Sequence, residues 1–522
     1  MTSGSPTASR LRRPTHTTPL VLSISSLVAA VAVVVPISYI AIRASDRGWD
    51  GIEATLWRRR MLTLIWRSVS LAGAVTAASV LIGVASAWLV SRTDLPGRRV
   101  WRVVLGLPLA MPSYVAAWSW IGWSSDLAGF VGAWIVLTTI SYPFVYFPVL
   151  GALQRADPGR EEIARSLGAG ASATFWRVTF PEIRIAATGG ALLVGLYTLS
   201  DFGGVSIMRY EAMTHVIYRS YRATFDRTPP AIIGCVLIVI STLIVLTVNR
   251  LQRRDPVARL GAGAPRPPVP HRLGVMRIPS TLLLVALMTL TFGVPARTLV
   301  LWSYRGRSTT DWSRWLDATV TTLSLGVAAA AVTVVVALPI AMLSARYPGR
   351  LSSTVTTIAY AGHSLPGIVV ALSMVFFGIR VVPSLYQEIP MLTFAYVVLF
   401  LSLALGAMHN SIAQVPASLD EIARSLGRTQ RGAWTAITLR LAAPGIGVAA
   451  ALVCVTVMKE LPATLLLRPI GTETLATRLW SHTDARSYAA AAPYAAAIVV
   501  FAAIPTAALS RFGARAGRDR HR

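Results

Sequence analysis

Twelve apolar stretches, each about long enough to cross a bilayer, divide this chain and leave little sequence for anything else. A spanning helix needs roughly 20 apolar residues. On that measure spans are expected near 18–42, 64–90, 101–123, 127–152, 185–208 and 230–249, and again near 276–302, 317–344, 353–379, 391–409, 443–467 and 488–510. Composition agrees. With 54% hydrophobic and 14% charged residues and a mean hydropathy of +0.59, 522 residues carry more apolar surface than a soluble core can hide. The expected fold is an all-α integral membrane protein of about 12 transmembrane helices. The first apolar run is too long for a cleavable signal and no small-residue cleavage pattern follows it, so it reads as a retained anchor.

The chain is doubled. Glu161-Glu162-Ile163-Ala164-Arg165-Ser166-Leu167-Gly168 returns 259 positions later as Asp420-Glu421-Ile422-Ala423-Arg424-Ser425-Leu426-Gly427. Pro96-Gly97-Arg98 returns as Pro348-Gly349-Arg350, and Pro112 returns as Pro366. These are parallel repeats, because six spans per half put both halves into the membrane in the same orientation. The expected division is a first six-helix half at 1–250, a linker at 251–275 and a second half at 276–522. The linker holds Arg253, Arg254, Arg259, Arg266 and Arg272 with Pro265, Pro267, Pro268 and Pro270, cannot pack a core, and belongs on the cytoplasmic side.

A net charge of +27 could indicate nucleic acid, but the Arg residues sit in short loops and form no stripe interleaved with aromatics. The charge reads as membrane topology, and no nucleic-acid partner is expected. The basic tail, the linker and both octapeptide loops fall on one side. Arg58, Arg59 and Arg60, and the segment with Arg209, Arg219, Arg222 and Arg227, fall on the other, against the rule. Cys235 and Cys454 lie within apolar segments, so they read as packing residues and not as a disulfide or thiolate site.

The octapeptide has the chemistry of a short amphipathic helix. Ser418 and Glu421 have capping-box spacing, and Asp157-Pro158 supplies a cap and a preset first turn in the other copy. Ile163 with Leu167, and Ile422 with Leu426, share a face, while Glu162 with Arg165 and Glu421 with Arg424 lie on the polar side. Gly168 and Gly427 allow the left-handed residue that ends a helix. One copy fits a spacer or a membrane-surface helix equally well. Two copies at equal positions of parallel halves point to paired docking of a two-fold partner.

At these residues the chain resembles the membrane-spanning permeases of binding-protein-dependent ABC importers, whose signature loop runs Glu-Ala-Ala, three residues, Gly, nine residues, Ile-x-Leu-Pro. Glu162, Ala164, Gly168 and Pro181 match in one half, and Glu421, Ala423 and Gly427 in the other. Ile163 and Ile422 replace the middle Ala, and Arg440 stands where Pro is expected, with Pro444 the nearest. The resemblance implies that these loops couple to a dimer of cytoplasmic ATP-binding ABC subunits. It also implies a soluble extracytoplasmic binding protein, a lipid bilayer setting in the bacterial cell membrane, and no cofactor. The chain has no G-x-x-x-x-G-K-[ST] loop, so ATP hydrolysis falls to a separate partner. The run Met458-Lys459-Glu460-Leu461-Pro462 to Pro469, with Glu473 to Trp480, is similar to iron(III)-type permeases that fuse two halves in one chain. That likeness spans most of the sequence and implies ferric iron; thiamine, sulfate and phosphonate permeases remain open.

Asp201 and Glu460 occupy equal positions of the repeat, in the fifth and eleventh spans. About 20 residues outward from Pro181, at ~1.5 Å each, place Asp201 in the outer half of the bilayer. Acids there are costly, and a water-filled path is the usual reason for them. They are candidates for the translocation path, and with Tyr210 and Tyr218 nearby they suit a hard cation. Capping of helix ends, an Arg partner or contact with the binding protein would explain them too. His363 reads as an interior hydrogen-bonded residue, Pro112 and Pro366 as helix kinks, and Trp118, Trp120 and Trp123 as interfacial anchors. No metal-ligand cluster and no nucleophile triad is apparent, so the chain reads as a transport subunit and not an enzyme. A secondary transporter would need coupling-ion residues near the midplane, and a membrane-embedded transferase an acidic cluster in a long outer loop.

Overall fold

The computed structural model describes residues 19–57, 59–223, 226–253, 270–305, 310–362 and 365–519. His363, Arg58 and the linker residues Arg254, Arg259, Pro265, Arg266, Pro267 and Pro268 lie outside the described residues. Among the described residues there is no sheet, only a single bridge between Thr93 and His271.

The first half runs α1 (Leu20–Ser45), α2 (Arg59–Arg92), α3 (Ser113–Trp123), α4 (Phe130–Arg155), α5 (Ser172–Ser200) and α6 (Thr228–Val248). The second runs α7 (Gly274–Arg305), α8 (Trp312–Arg346), α9 (Gly367–Val381), α10 (Ile389–Ala413), α11 (Gln430–Met458) and α12 (Tyr488–Asp519). Among the described residues nine of these are long and apolar enough to cross a membrane by themselves. α3 does so only together with the leg Arg98–Ala110, from which it is bent by 90°; α9 is a shorter apolar helix, as is the apolar stretch Tyr488–Ala503 of α12.

The breaks follow from proline and glycine. Met111 is extended at ψ 123°, as a residue before proline should be, and Pro112 caps α3, where a missing N–H costs nothing. Pro366 caps α9 in the same way, after the leg Arg350–Ala361. The bend at Pro112 therefore exceeds the expected kink. Tyr142 Oη donates to Leu105 O at 2.8 Å and Tyr146 Oη to Arg102 O at 3.1 Å, which ties the first leg to α4. The continuous spans expected at 185–208 and 443–467 are not continuous. α5 stops at Ser200 before the short helix Gly203–Ile207, and α11 stops at Met458 before Pro462–Leu467. Asp201-Phe202 in one case and Lys459-Glu460-Leu461 in the other make the turn between the helices.

Each half is built on three spans, α2, α4 and α5 in one and α8, α10 and α11 in the other. The first helix of each half crosses to its neighbour: α1 packs on α8 and α9, and α7 on α3 and α4. Both apolar cores are therefore shared. One joins Ile40 and Leu237 to Leu325 and Met374; the other joins Trp118 and Tyr142 to Leu284, Leu461 and Trp480. Trp118 and Trp120 lie inside this second core and are not interfacial anchors, because α3 is covered by α7, the α12 helix and Gly203–Ile207. Trp123, at the helix end, is half exposed.

Sidedness follows from one anchor. His271 N donates to Arg92 O at 2.7 Å and Asp94 N to His271 O at 3.1 Å, so α7 begins at the end of the molecule where α2 stops. α8 returns to that same end, and both octapeptides lie there. Three of the Arg residues that break the charge rule at the opposite end are engaged locally. Arg219 pairs with Glu211 at 3.0 Å, Arg222 lies 5.9 Å over the Tyr218 ring, and Arg227 lies 4.1 Å over the Tyr221 ring.

Candidate functional site

Both octapeptides form short helices, Pro158–Ser166 and Ala417–Ser425. Asp157 caps the first, its Oδ1 accepting from Gly159 N at 3.0 Å with Pro158 in the first turn, as expected. The capping box expected at Ser418 and Glu421 does not form. Pro416 occupies the cap position and Ser418 lies within the first turn, too far along to cap the helix.

The two C-termini are alike. Gly168 has φ 86° and Gly427 φ 84°. Ala169 N donates to Ala164 O at 3.0 Å and Gly168 N to Arg165 O at 2.9 Å; Arg428 N and Gly427 N repeat both bonds onto Ala423 O and Arg424 O at 3.1 and 3.0 Å. This paired closure is the Schellman ending, which satisfies carbonyls left open by the last turn.

The outward face of each helix carries its apolar residues into solvent. Ile163 is 62% and Leu167 82% exposed, Ile422 54% and Leu426 79%. Glu162 and Glu421 are exposed beside them, whereas Ala164 is half-buried and Ala423 buried. Arg165, placed with Glu162 on the polar side, has Glu161 as its ion-pair partner, Nη2 lying 3.6 Å from Oε2.

The residue that sequence reasoning missed is the one before. Glu161 is buried, its Oε1 3.0 Å from Arg92 Nε and accepting from Thr179 Oγ1 at 3.1 Å. Asp420, its counterpart, accepts from Thr438 Oγ1 at 2.6 Å and lies 3.4 Å from Arg346 Nη2, while Arg346 Nη1 also donates to Val415 O at 2.8 Å. Each loop helix is thus wired to the last residue of α2 or α8 and to the start of α5 or α11. Both threonines close a π-helical turn, Phe175–Thr179 and Trp434–Thr438. Such turns are rare and recur at functional sites. Pro181 follows the first of them, and Arg440 at the equivalent position leaves the second turn intact. The clue in the sequence is that an Arg ends both α2 and α8, and a Thr stands 18 residues after both acids.

At the opposite end, Asp201 follows α5 and Glu460 lies just past the end of α11. Asp201 Oδ1 accepts from Val205 N at 3.0 Å, with Ser113 as a side-chain partner. Glu460 Oε1 accepts from Ala463 N at 3.0 Å, and its Oε2 from Thr464 N and Oγ1 at 3.0 and 2.9 Å. Both acids therefore cap the short helices that turn back from their spans. A Cβ on Gly204 would come within 2.8 Å of Asp201 Oδ1, so only glycine leaves room for this cap. Tyr210 does not join them, since its hydroxyl donates to Arg67 O at 2.9 Å. Among the described residues no group of three His, Cys, Asp or Glu side chains is placed to hold a metal.

A doubled set of spans with one solvent-facing loop helix per half on the same side defines a membrane permease of two fused halves. The chain belongs to the binding-protein-dependent transport system inner membrane components, a family that matches residues 79–254 and again 337–517. It is 32% identical over 505 residues to the Fe(3+)-transport system permease protein FbpB 2 of Haemophilus influenzae, covering 96% of this chain and 99% of that one. The sulfate transport system permease protein CysW of Synechococcus elongatus is 28% identical over 262 residues, 45% of this chain and 91% of its own. CysW of Escherichia coli is 26% identical over 262 residues, 46% of this chain and 90% of its own.

Proposed function

We propose that this permease carries ferric iron across the inner membrane, driven by a dimer of separate ATP-binding subunits and supplied by an extracytoplasmic binding protein. The observation that carries the reading is the pair of loop helices, each with two bulky apolar side chains facing solvent and each fixed to the span ends by a buried Arg–acid–Thr contact. Apolar side chains held out in this way need a partner surface. A two-fold partner meets both at once, and the buried contacts pass its motion to α2 and α5 in one half and α8 and α11 in the other.

Glu162, Ala164, Gly168 and Pro181, with Glu421, Ala423 and Gly427, form the coupling loops in this reading. The halves are residues 1–250 and 276–522, joined by the linker 251–275. Hydrolysis of ATP belongs to the partner, since the chain has no phosphate loop. Asp201 and Glu460 flank the path near its outer mouth, where their carboxylates, oriented by backbone donors, keep negative charge beside the passing cation. Iron is preferred over sulfate because the iron permease relative matches both halves and the linker, whereas each sulfate permease spans one half.

The test is uptake of labelled ferric iron by cells producing the chain with its ATP-binding subunit and binding protein, compared with Leu167→Asp plus Leu426→Asp. Both positions are exposed, so abundance in the membrane should hold while uptake falls at least tenfold. Unchanged uptake overturns the coupling assignment; uptake of labelled sulfate without iron replaces the substrate.

A further inference from the structure

Four side chains from equivalent places in the repeat meet between the halves. Phe202 follows Asp201, as Leu461 follows Glu460; Tyr218 lies seven residues beyond Glu211, as Trp480 lies seven beyond Glu473. The ring centroids of Phe202 and Tyr218 are 4.9 Å apart, those of Phe202 and Trp480 5.0 Å, and those of Tyr218 and Trp480 6.0 Å. A Cβ on Gly203 would lie 2.8 Å from Tyr114 Cβ and 3.3 Å from Leu461 Cδ2, so the two turned-back segments touch with no room between them. Phe202 and Leu461 are fully buried.

We infer that Phe202, Tyr218, Leu461 and Trp480 form the seal that closes the translocation path on its extracytoplasmic side. The inference rests on the permease reading above and assigns residues that it leaves open. A cluster inside one half would persist whatever the halves did. This one has two members from each half, so it must part if a passage opens between them.

Its mounting fits that role. Phe202 and Leu461 each sit at the start of a short helix capped by the preceding acid, and Thr214 Oγ1 donates to Asp201 O at 2.6 Å, joining the Tyr218 helix Met213–Ala223 to the same point. The Trp480 helix Leu475–Asp484 is tied to α8 through Leu475 N and Thr322 Oγ1 at 2.9 Å. Each pair of seal residues is therefore carried by its own half as a braced unit. Contacts across the centre are apolar and ring-to-ring, able to separate and re-form without leaving a buried charge unpaired.

The experiment labels a single thiol, Phe202→Cys, in the full chain carrying Cys235→Ala and Cys454→Ala, with a membrane-impermeant maleimide added outside intact cells. Ile470→Cys, on the 90% exposed tip of the following loop, is the open reference. Labelling at 202 is expected at least tenfold slower than at 470, and at least tenfold faster than before once Trp480→Ala, or the milder Trp480→Leu if the first does not accumulate, is added. Equal rates at 202 and 470, or no response to either Trp480 substitution, overturn the seal. The readout needs no transport, so a chain that moves no iron yet protects position 202 refutes the substrate and keeps the seal.

Discussion

Arg92 and Glu161, 69 positions apart, form an ion pair at 3.0 Å with side chains only 2% and 6% exposed. This contact joins the end of a membrane span to the solvent-facing loop helix. Removing one member of a buried pair leaves an uncompensated charge, at a cost of about 3–5 kcal/mol. Glu161→Ala should therefore lower the melting temperature of the purified protein sharply. Arg92→Met with Glu161→Leu should recover stability but not uptake, since the apolar pair keeps the packing and loses the directional link. Asp420→Ala should cost less, because Asp420 and Arg346 are 3.4 Å apart and more exposed. Full uptake by the double variant would show that the link transmits nothing.

The glycine endings make a second, sharper prediction. A Cβ at Gly168 or Gly427 would meet nothing within 4 Å, so any penalty comes from backbone conformation alone. The left-handed region costs an ordinary residue roughly 1–2 kcal/mol and asparagine less. Gly168→Asn with Gly427→Asn should retain most ATP-dependent uptake, while Gly168→Val with Gly427→Val should lose most of it at equal abundance in the membrane. Equal uptake by the two variants would remove the need for the left-handed ending.

Much of this architecture was legible because lipid leaves few choices. Every one of the twelve apolar stretches holds helix, nine of them among the described residues as a helix long and apolar enough to span by itself, and the octapeptide with its terminal glycine announced a loop helix twice. Less legible was anything decided by tertiary partners. Glu161 and Asp420 stood out only as members of the repeated octapeptide, since a helical wheel cannot say that an Arg from another span will cover one side. The stops at Ser200 and Met458 were hidden because apolar residues resume after Asp201 and after Lys459-Glu460, and apolarity alone does not separate a continuing span from one that turns back. Trp118 and Trp120 looked like interfacial anchors for a related reason: composition does not reveal that a helix of the other half covers them.

At the outer end, acid should loosen the structure through Glu211. Desolvation raises its pKa, but hydrogen bonding and charge from Arg219, with the charges of Arg67 and Arg60, outweigh this and hold it below the ordinary Glu value. A depressed carboxylate contributes stability that is complete above the unfolded value of ~4.3 and is lost as pH falls through the folded value. Glu211 is more than a third exposed, so the contribution is small, on the order of 1 kcal/mol or less. Melting of the wild type should exceed that of Glu211→Gln at pH 6 and converge with it near pH 3. A gap that widens on acidification would contradict the sign.

Asp201 separates charge from capping. Its Oδ1 holds Val205 N at 3.0 Å, and an asparagine keeps that oxygen while losing the negative charge. Alanine loses both, at about 0.5–2 kcal/mol for a helix cap. If the carboxylate serves the passing cation, Asp201→Asn should melt near the wild-type temperature yet take up ferric iron several-fold more slowly. If it serves only as a cap, Asp201→Asn should transport normally and Asp201→Ala alone should fail, through instability. Glu460 makes the complementary case, since its two oxygens accept from Ala463 N, Thr464 N and Thr464 Oγ1. Glu460→Gln presents an amide N–H₂ where one of these donors must be met, so its variant should lose stability as well as uptake. Paired melting and uptake measurements on Asp201→Asn and Glu460→Gln therefore assign each carboxylate to the path, to the cap or to both.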